Sequence, residues 1–246
     1  MRLARLFQAV AVAAMALAAG TAAAADAPAV ADKEAFGRAV RAYLLEHPEV
    51  LVEALEQLKA RQQQAETVAY RKAFTERRSQ ILDNPDTPVG GNPKGDVTLV
   101  EFLDYRCGVC KQAHPIVNEL VRSDGRIKVL YVNWPILGPD SVTAARAALA
   151  ARYQGKYEAF HEVLMTTRNV TEATLFEVAK RVGLDVERLR RDMTRPEIEQ
   201  TLRANHDLAD ALTINGTPSF IVGDELIRGA RDLAGMREAV AEARAK

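Results

Sequence analysis

Hydrophobic and polar positions fall into blocks of different period along the chain. Residues 6–25 form an uncharged, alanine-rich run with no polar face. From residue 32 to 83 apolar positions recur at helical spacing: Phe36, Val40, Tyr43 and Leu44 in one stretch, Leu51, Leu55 and Leu58 in the next. Asp32 is placed to cap the first helix, and His47-Pro48 separates the two, with Pro48 suited to a helical first turn. The second helix continues through the polar stretch 59–66 to Leu82 and carries only a narrow apolar seam. Residues 84–96, dense in Pro, Gly and Asn, cannot hold a helix and read as a linker.

Beyond the linker the period changes. Residues 97–103 run apolar like a buried strand, and a helix is expected over about 108–121, tolerating Pro115 as a kink or first-turn residue. A second strand, rich in Val, Leu, Ile and Tyr, covers 127–134. Helix starts then recur at Asp140-Ser141, Thr171, Asp185 and Pro196, with a stop at Gly183, so helices fill about 140–212. Residues 219–222 follow Gly216-Thr217-Pro218 as a strand, residues 225–228 pair beside it past a Gly223-Asp224 turn, and a last helix opens near Asp232. This order makes residues 97–246 an α/β domain whose small sheet is interrupted by a helical block.

Length and charge narrow the picture. A chain of 246 residues accommodates a domain plus an appendage. Its 33 basic and 33 acidic residues give no global field toward nucleic acid or an anionic membrane. Arg2 and Arg5 ahead of the 6–25 run have the form of a secretory signal, and Ala23 and Ala25 offer a small-residue cleavage site, so the mature chain is expected to begin near Asp26 and to act in the periplasm. An uncleaved anchor is the competing reading, since about 20 apolar residues just span a bilayer.

Both cysteines of the chain sit in one motif, Cys107-Gly108-Val109-Cys110, where a strand meets a helix. A disulfide-stapled scaffold needs cysteines spread along the chain. A helix N-terminus presents unpaired N–H groups and a positive dipole end, so Cys107 is expected to be the attacking thiolate. Cys110, three residues on, is the expected resolving thiol, and the pair supplies a redox-active disulfide with no other cofactor. Gly108 and Val109 tune the thiolate without adding charge or a donor, leaving any remaining stabilisation to the helix terminus, Arg106 or Lys111. That combination predicts a moderate oxidant. An inert surface disulfide and half of a zinc site are the bland alternatives. No second cysteine pair or closely spaced histidines accompany the motif among His47, His114, His161 and His206, so no metal site is expected.

Glu101 lies in the otherwise apolar strand six residues before Cys107. A carboxylate buried there has a raised pKa and is placed to take the Cys110 proton through water; alternatively it faces solvent on an alternating strand. For Thr217-Pro218, residue type alone favours the ordinary trans bond.

The stretch Glu101-Phe102-Leu103-Asp104-Tyr105-Arg106-Cys107-Gly108-Val109-Cys110, with Gly216-Thr217-Pro218-Ser219-Phe220 far downstream, resembles the DsbA family of thioredoxin-fold oxidoreductases. The resemblance covers residues 84–246 and implies a thioredoxin fold with a helical insertion. It also implies that Pro218 is cis beside the Cys107 sulfur, that Thr217 and Pro218 offer backbone groups to substrate, and that Glu101 transfers protons. Strongly oxidising members carry Pro-His where this chain has Gly108-Val109. Residues 36–51 further resemble the N-terminal segment of the ScsC branch, named for suppression of copper sensitivity. That branch implies assembly into trimers through residues 26–83 and disulfide isomerisation. Three functions follow: an isomerase or reductase of misoxidised exported proteins, a dithiol oxidase, and a copper-binding protein using the same thiols. A membrane redox partner that resets the cysteines is expected for the first two.

Overall fold

The computed structural model of the chain describes residues 32–246; the export signal and cleavage site expected over residues 1–25 lie outside the described residues. The chain divides into two compact units, one ending at Leu58 and one covering Lys59–Lys246. The first holds α1 (Lys33–Glu46) and the beginning of α2 (Glu49–Leu82). Asp32 caps α1 by accepting from the amides of Glu34 at 3.0 Å and Ala35 at 2.9 Å, which satisfies two of the first-turn donors. The helix ends at His47, whose backbone leaves the helical region because the following Pro48 crowds it. No residue of α1 is buried, and Phe36, Tyr43, Leu51, Leu55 and Leu58 are exposed. Among its described residues this unit exposes apolar side chains and buries none of them.

The second unit is built on a five-stranded sheet in the order β1-β3-β2-β4-β5. Its strands are β1 (Val89–Gly91), β2 (Val97–Leu103), β3 (Ile127–Asn133), β4 (Ser219–Val222) and β5 (Glu225–Arg228). Only β2 and β3 run parallel, joined by α3 (Gly108–Asp124); the other neighbours are antiparallel. Between β3 and β4 come α4 (Pro139–Ala151), α5 (Tyr157–Thr166), α6 (Glu172–Arg181), α7 (Val186–Asp192) and α8 (Pro196–Ala211), and α9 (Leu233–Ala245) closes the chain. This is the α/β thioredoxin fold with a helical insertion.

Strand alternation assigns the two faces of the sheet. Val97, Leu99 and Leu103 pack with Val117 and Leu120 of α3 and Phe160 and Leu164 of α5. Val100 and Phe102 point the other way, into a core with Leu130, Leu208 and Leu212. Local signals start most of the helices. Thr171 forms a reciprocal capping box with Thr174, Asp185 accepts from the Arg188 amide at 2.9 Å, and Asp232 accepts from the Gly235 amide at 2.9 Å. Helix α5 has no capping side chain at Lys156, which is why no start signal marked it.

Two expectations need correction. Residues 84–96 are not simply a linker, because β1 lies within them and pairs with β3, Val89 opposite Leu130. The glycines that read as turn formers make this pairing possible. A Cβ on Gly90 would stand 2.7 Å from the Tyr131 ring, and Gly91 has φ +62° with the Ile127 carbonyl oxygen 2.5 Å from where its Cβ would be. The helical segment expected over 26–83 is also divided, with the boundary falling inside α2. Tyr70, Phe74 and Ile81 are buried among Val100, Phe102 and Leu130, so residues 59–82 complete the core of the second unit.

Candidate active site

Strand β2 ends in a turn that delivers Cys107 to the N-cap of α3. Asp104 builds the turn. Its buried carboxylate accepts from the amides of Arg106 (2.7 Å), Ile136 (2.9 Å) and Leu137 (3.1 Å) and from the Ser141 hydroxyl (2.8 Å). One side chain therefore ties the cysteine turn to the loop ahead of α4. Sequence reasoning assigned Asp104 no role, although its place between strand and motif was on view.

At the cap, the Cys110 amide donates to Cys107 Sγ at 3.2 Å. Cys107 Sγ also lies 3.2 Å from the Thr217 carbonyl oxygen, which accepts from the thiol when it is protonated. The Thr217–Pro218 bond is cis, as the resemblance implied and contrary to the expectation from residue type alone. Both cysteines are free thiols; Cys110 is fully buried, and Val109 between them is exposed.

The two thiols titrate in opposite directions. A hydrogen bond from the Cys110 thiol, helped by the amides of Cys110 and Val109, holds Cys107 down to about 5 against the opposing effect of burial. The same hydrogen bond, with burial, pushes Cys110 well above the usual thiol range. Donors at the helix start dominate over the cations considered from sequence. Arg106 pairs with Asp140 at 3.5 Å, and the Lys111 ammonium donates to the Thr167 carbonyl.

A titration follows. Thiolate absorbance of the reduced protein is expected to rise with a midpoint near pH 5 from Cys107 alone, and a Cys107→Ala variant to show no transition below pH 9. A lowered folded pKa stabilises the reduced fold fully above about pH 9, the ordinary thiol value, and that contribution is lost as pH falls through about 5. Because each single-cysteine variant loses the hydrogen bond between the thiols, the reduced wild type decides the matter: two ordinary transitions near pH 9 with none near pH 5 would remove the basis for assigning the cysteines different roles.

Glu101 is fully buried on the central strand, opposite Tyr131 of β3 and Phe220 of β4, so the solvent-facing alternative does not hold. Neither carboxylate oxygen has a hydrogen-bond partner in the protein, and burial raises its pKa to about 7. The face it shares with Leu99 and Leu103 also holds a polar cluster that the sequence did not announce. The Tyr105 hydroxyl lies 3.1 Å from His161 Nδ1 and donates to the Tyr157 hydroxyl at 3.3 Å, and Tyr157 accepts from the Asn133 amide at 3.0 Å.

Residues 98–241 match the family model of the DSBA-like thioredoxin domain. The chain belongs to that family. Residues 32–65 match the model of the copper resistance protein ScsC N-terminal domain. A thioredoxin-like oxidoreductase from Silicibacter pomeroyi DSS-3 is 46% identical, with 69% of this chain and 98% of that one covered at a TM-score of 0.67. BcfH of Salmonella enterica Typhimurium is 27% identical over 86% of this chain and 95% of its own, with a TM-score of 0.73. The Na(+)/H(+) antiporter NhaA 3 of Salinispora tropica is 30% identical over 158 residues, 63% of this chain and 24% of the antiporter. The DSBA-like chain thus spans about a quarter of the length of such curated relatives. Among its described residues no helix is long and apolar enough to cross a membrane.

Proposed function

We propose that this chain is an exported thiol–disulfide oxidoreductase that reduces and reshuffles disulfides of client proteins in the periplasm. The observation that carries this reading is the asymmetry of the pair: Cys107 at a helix cap with a thiol held to about 5, Cys110 buried behind it with its own titration pushed up. The Cys107 thiolate attacks one sulfur of a client disulfide. The client S–S bond breaks, its other sulfur leaves as a thiolate and takes a solvent proton, and a Cys107–client disulfide forms. In isomerisation a second client thiolate attacks that mixed disulfide and returns Cys107 as a thiolate, with no net electron transfer. In reduction Cys110 gives its proton to Glu101 through water and attacks the Cys107 sulfur. The client leaves as a dithiol, and the Cys107–Cys110 disulfide then needs an external dithiol, supplied by a membrane redox partner, to reset it. Thr217 and Pro218 serve as the backbone ledge for an extended client beside the Cys107 sulfur.

The exposed apolar face of residues 32–58 and the ScsC N-terminal match support assembly into a homotrimer. Several tethered thiol pairs around one client raise the effective concentration for the second attack. A Cys110→Ala variant removes the resolving thiol, so it is expected to accumulate covalent complexes with misoxidised exported proteins, read on non-reducing gels. Absence of such complexes, with Cys107 intact, would refute the nucleophile assignment.

One observation favours dithiol oxidation as the second reading. A thiolate held near 5 stabilises the reduced form and makes the disulfide more oxidising. That value lies between the roughly 7 and roughly 3.5 of weakly and strongly oxidising thioredoxin-type proteins, which supports a moderate oxidant. The redox state of Cys107 in cells separates the readings, mostly reduced for the isomerase and mostly oxidised for the oxidase.

A further inference from the structure

We propose that His114, His161 and Glu162 form a binding site for a divalent transition cation of the zinc class, separate from the cysteine pair. No local spacing announced it, because His114 stands on α3 and the other two on α5, and the fold alone brings them together. One nitrogen of each ring and one Glu162 oxygen all lie within 4.8 Å of one another. Ligands about 2.1 Å from a tetrahedral ion stand roughly 3.4 Å apart, a separation that modest side-chain rotations reach from here.

The hydrogen bonds around the cluster leave one ligand nitrogen, His161 Nε2, unused. The Tyr105 hydroxyl spends its hydrogen on Tyr157, so its oxygen is left to accept from His161 Nδ1–H at 3.1 Å. That places the ring proton on Nδ1 and leaves a lone pair on Nε2. His161 Nε2 is fully buried with no partner in the protein, and His114 Nδ1 is in the same position. Buried polar atoms are nearly always paired, and the orphaned His161 Nε2, within reach of the Glu162 carboxylate and a His114 ring nitrogen, points to a group that binds it. His114 turns Nε2 toward Glu162, 3.0 Å from Oε2, and the Asn118 side-chain amide lies 3.1 Å from that nitrogen and donates to the same oxygen at 3.0 Å, so an ion would take the place of the hydrogen between Nε2 and Oε2.

The surroundings fit an ion better than a structural hydrogen-bond network alone. Second-shell partners of metal-bound histidines fix tautomer and ring orientation, as Tyr105 does for His161 here, with Tyr157 and Asn133 behind it. Glu162 is half-exposed and lines, with His114 and Asn118, a groove of about 560 Å³ bordered by Lys111 and Arg168, which gives access from solvent. Lys111 is already engaged by the Thr167 carbonyl. Two neutral imidazoles and one carboxylate select zinc-class ions over Mg²⁺ or Ca²⁺, which prefer oxygen, and over Cu⁺, which prefers sulfur. An ion here would clamp α3 to α5 one turn beyond Cys110.

The test uses the intact chain with Cys107 and Cys110 joined as a disulfide, so that neither thiol can bind metal. Titration with Co²⁺, followed by visible d–d absorption and displaced by Zn²⁺, is expected to show one equivalent bound. His114→Gln and Glu162→Gln should each weaken binding by about tenfold or more, and a His47→Gln/His206→Gln double variant should leave it unchanged. At one fixed Zn²⁺ concentration the melting temperature should rise less in Glu162→Gln than in the wild type, Glu162 being half-exposed and so less tied to the fold than His114. No bound equivalent, or an equivalent that survives Glu162→Gln undiminished, overturns the site.

Discussion

A chain beginning at Lys59 will keep the full-length melting temperature of the catalytic unit to within a few degrees, whereas one beginning at Asn84 will be unfolded or nearly so. The difference lies in residues 59–83, all but the last of them from one helix that gives no sign in its composition of where its role changes. Residues 32–58 bury no core side chain within their own unit. Tyr70, Phe74 and Ile81, by contrast, are each at most 4% exposed and form one wall of the core beneath β2 and β3. Deleting a buried aromatic or isoleucine side chain costs about 2–5 kcal/mol, so losing three approaches the whole stability of a typical domain, about 5–15 kcal/mol. Differential scanning calorimetry of the two truncations decides it, and equal melting of both would show that this wall carries no weight. The chain from Lys59 also tests the assembly reading. It is expected to be monomeric by light scattering, to exchange dithiols normally, and to reshuffle scrambled disulfides poorly. A monomeric full-length chain, or undiminished isomerisation by the truncated one, would leave dithiol oxidation as the better reading.

Glu101→Gln is expected to stabilise the oxidised protein progressively as pH rises, by as much as ~3 kcal/mol between pH 4 and pH 8. The sign follows from the direction of the shift. Burial raises the folded pKa from the ordinary 4.5 to about 7, so the stability associated with the protonated carboxyl is fully present below about 4.5 and lost as pH rises through about 7. Glutamine does not titrate and escapes that loss. Any fixed cost of its buried amide cancels when variant and parent are compared across pH, and the oxidised form keeps Cys107 and Cys110 out of the titration. Urea unfolding at several pH values provides the readout, and a stability difference that does not change with pH would mean that Glu101 is solvated in solution. The same substitution is expected to slow client release from the mixed disulfide, because the Cys110 proton loses its acceptor. Attack by Cys107 should be unaffected.

Much of the architecture was legible because its causes are local. Capping side chains at Asp32, Thr171, Asp185 and Asp232 accept from amides two or three residues on, and such contacts need nothing distant to form. The alternation and apolar run of 97–103 and 127–134 mark strands for the same reason, and the cysteine motif at a helix start depends on a single turn of backbone. What stayed hidden depends on partners far along the chain. Gly90 and Gly91 read as turn formers until Tyr131 and Ile127 are seen to exclude any side chain there. The polar composition of α2 masks three residues that matter only because β2 and β3 pass beneath them. Glu101 had two open readings on sequence, since its burial depends on both β3 and β4 flanking it and on helices covering its face.

The amino-acid sequence by itself determined that a reactive cysteine pair caps a helix in an α/β domain interrupted by helices, since each of those features is written in residues within a few positions of one another. Only the tertiary structure decided the rest. It set Thr217 3.2 Å from the Cys107 sulfur across 110 residues of chain, stripped the Glu101 carboxylate of hydrogen-bond partners, and brought His114 to His161 and Glu162. These contacts arise when the sheet and its insertion pack as one body, and no period or spacing along the chain encodes the distance between side chains that meet only then.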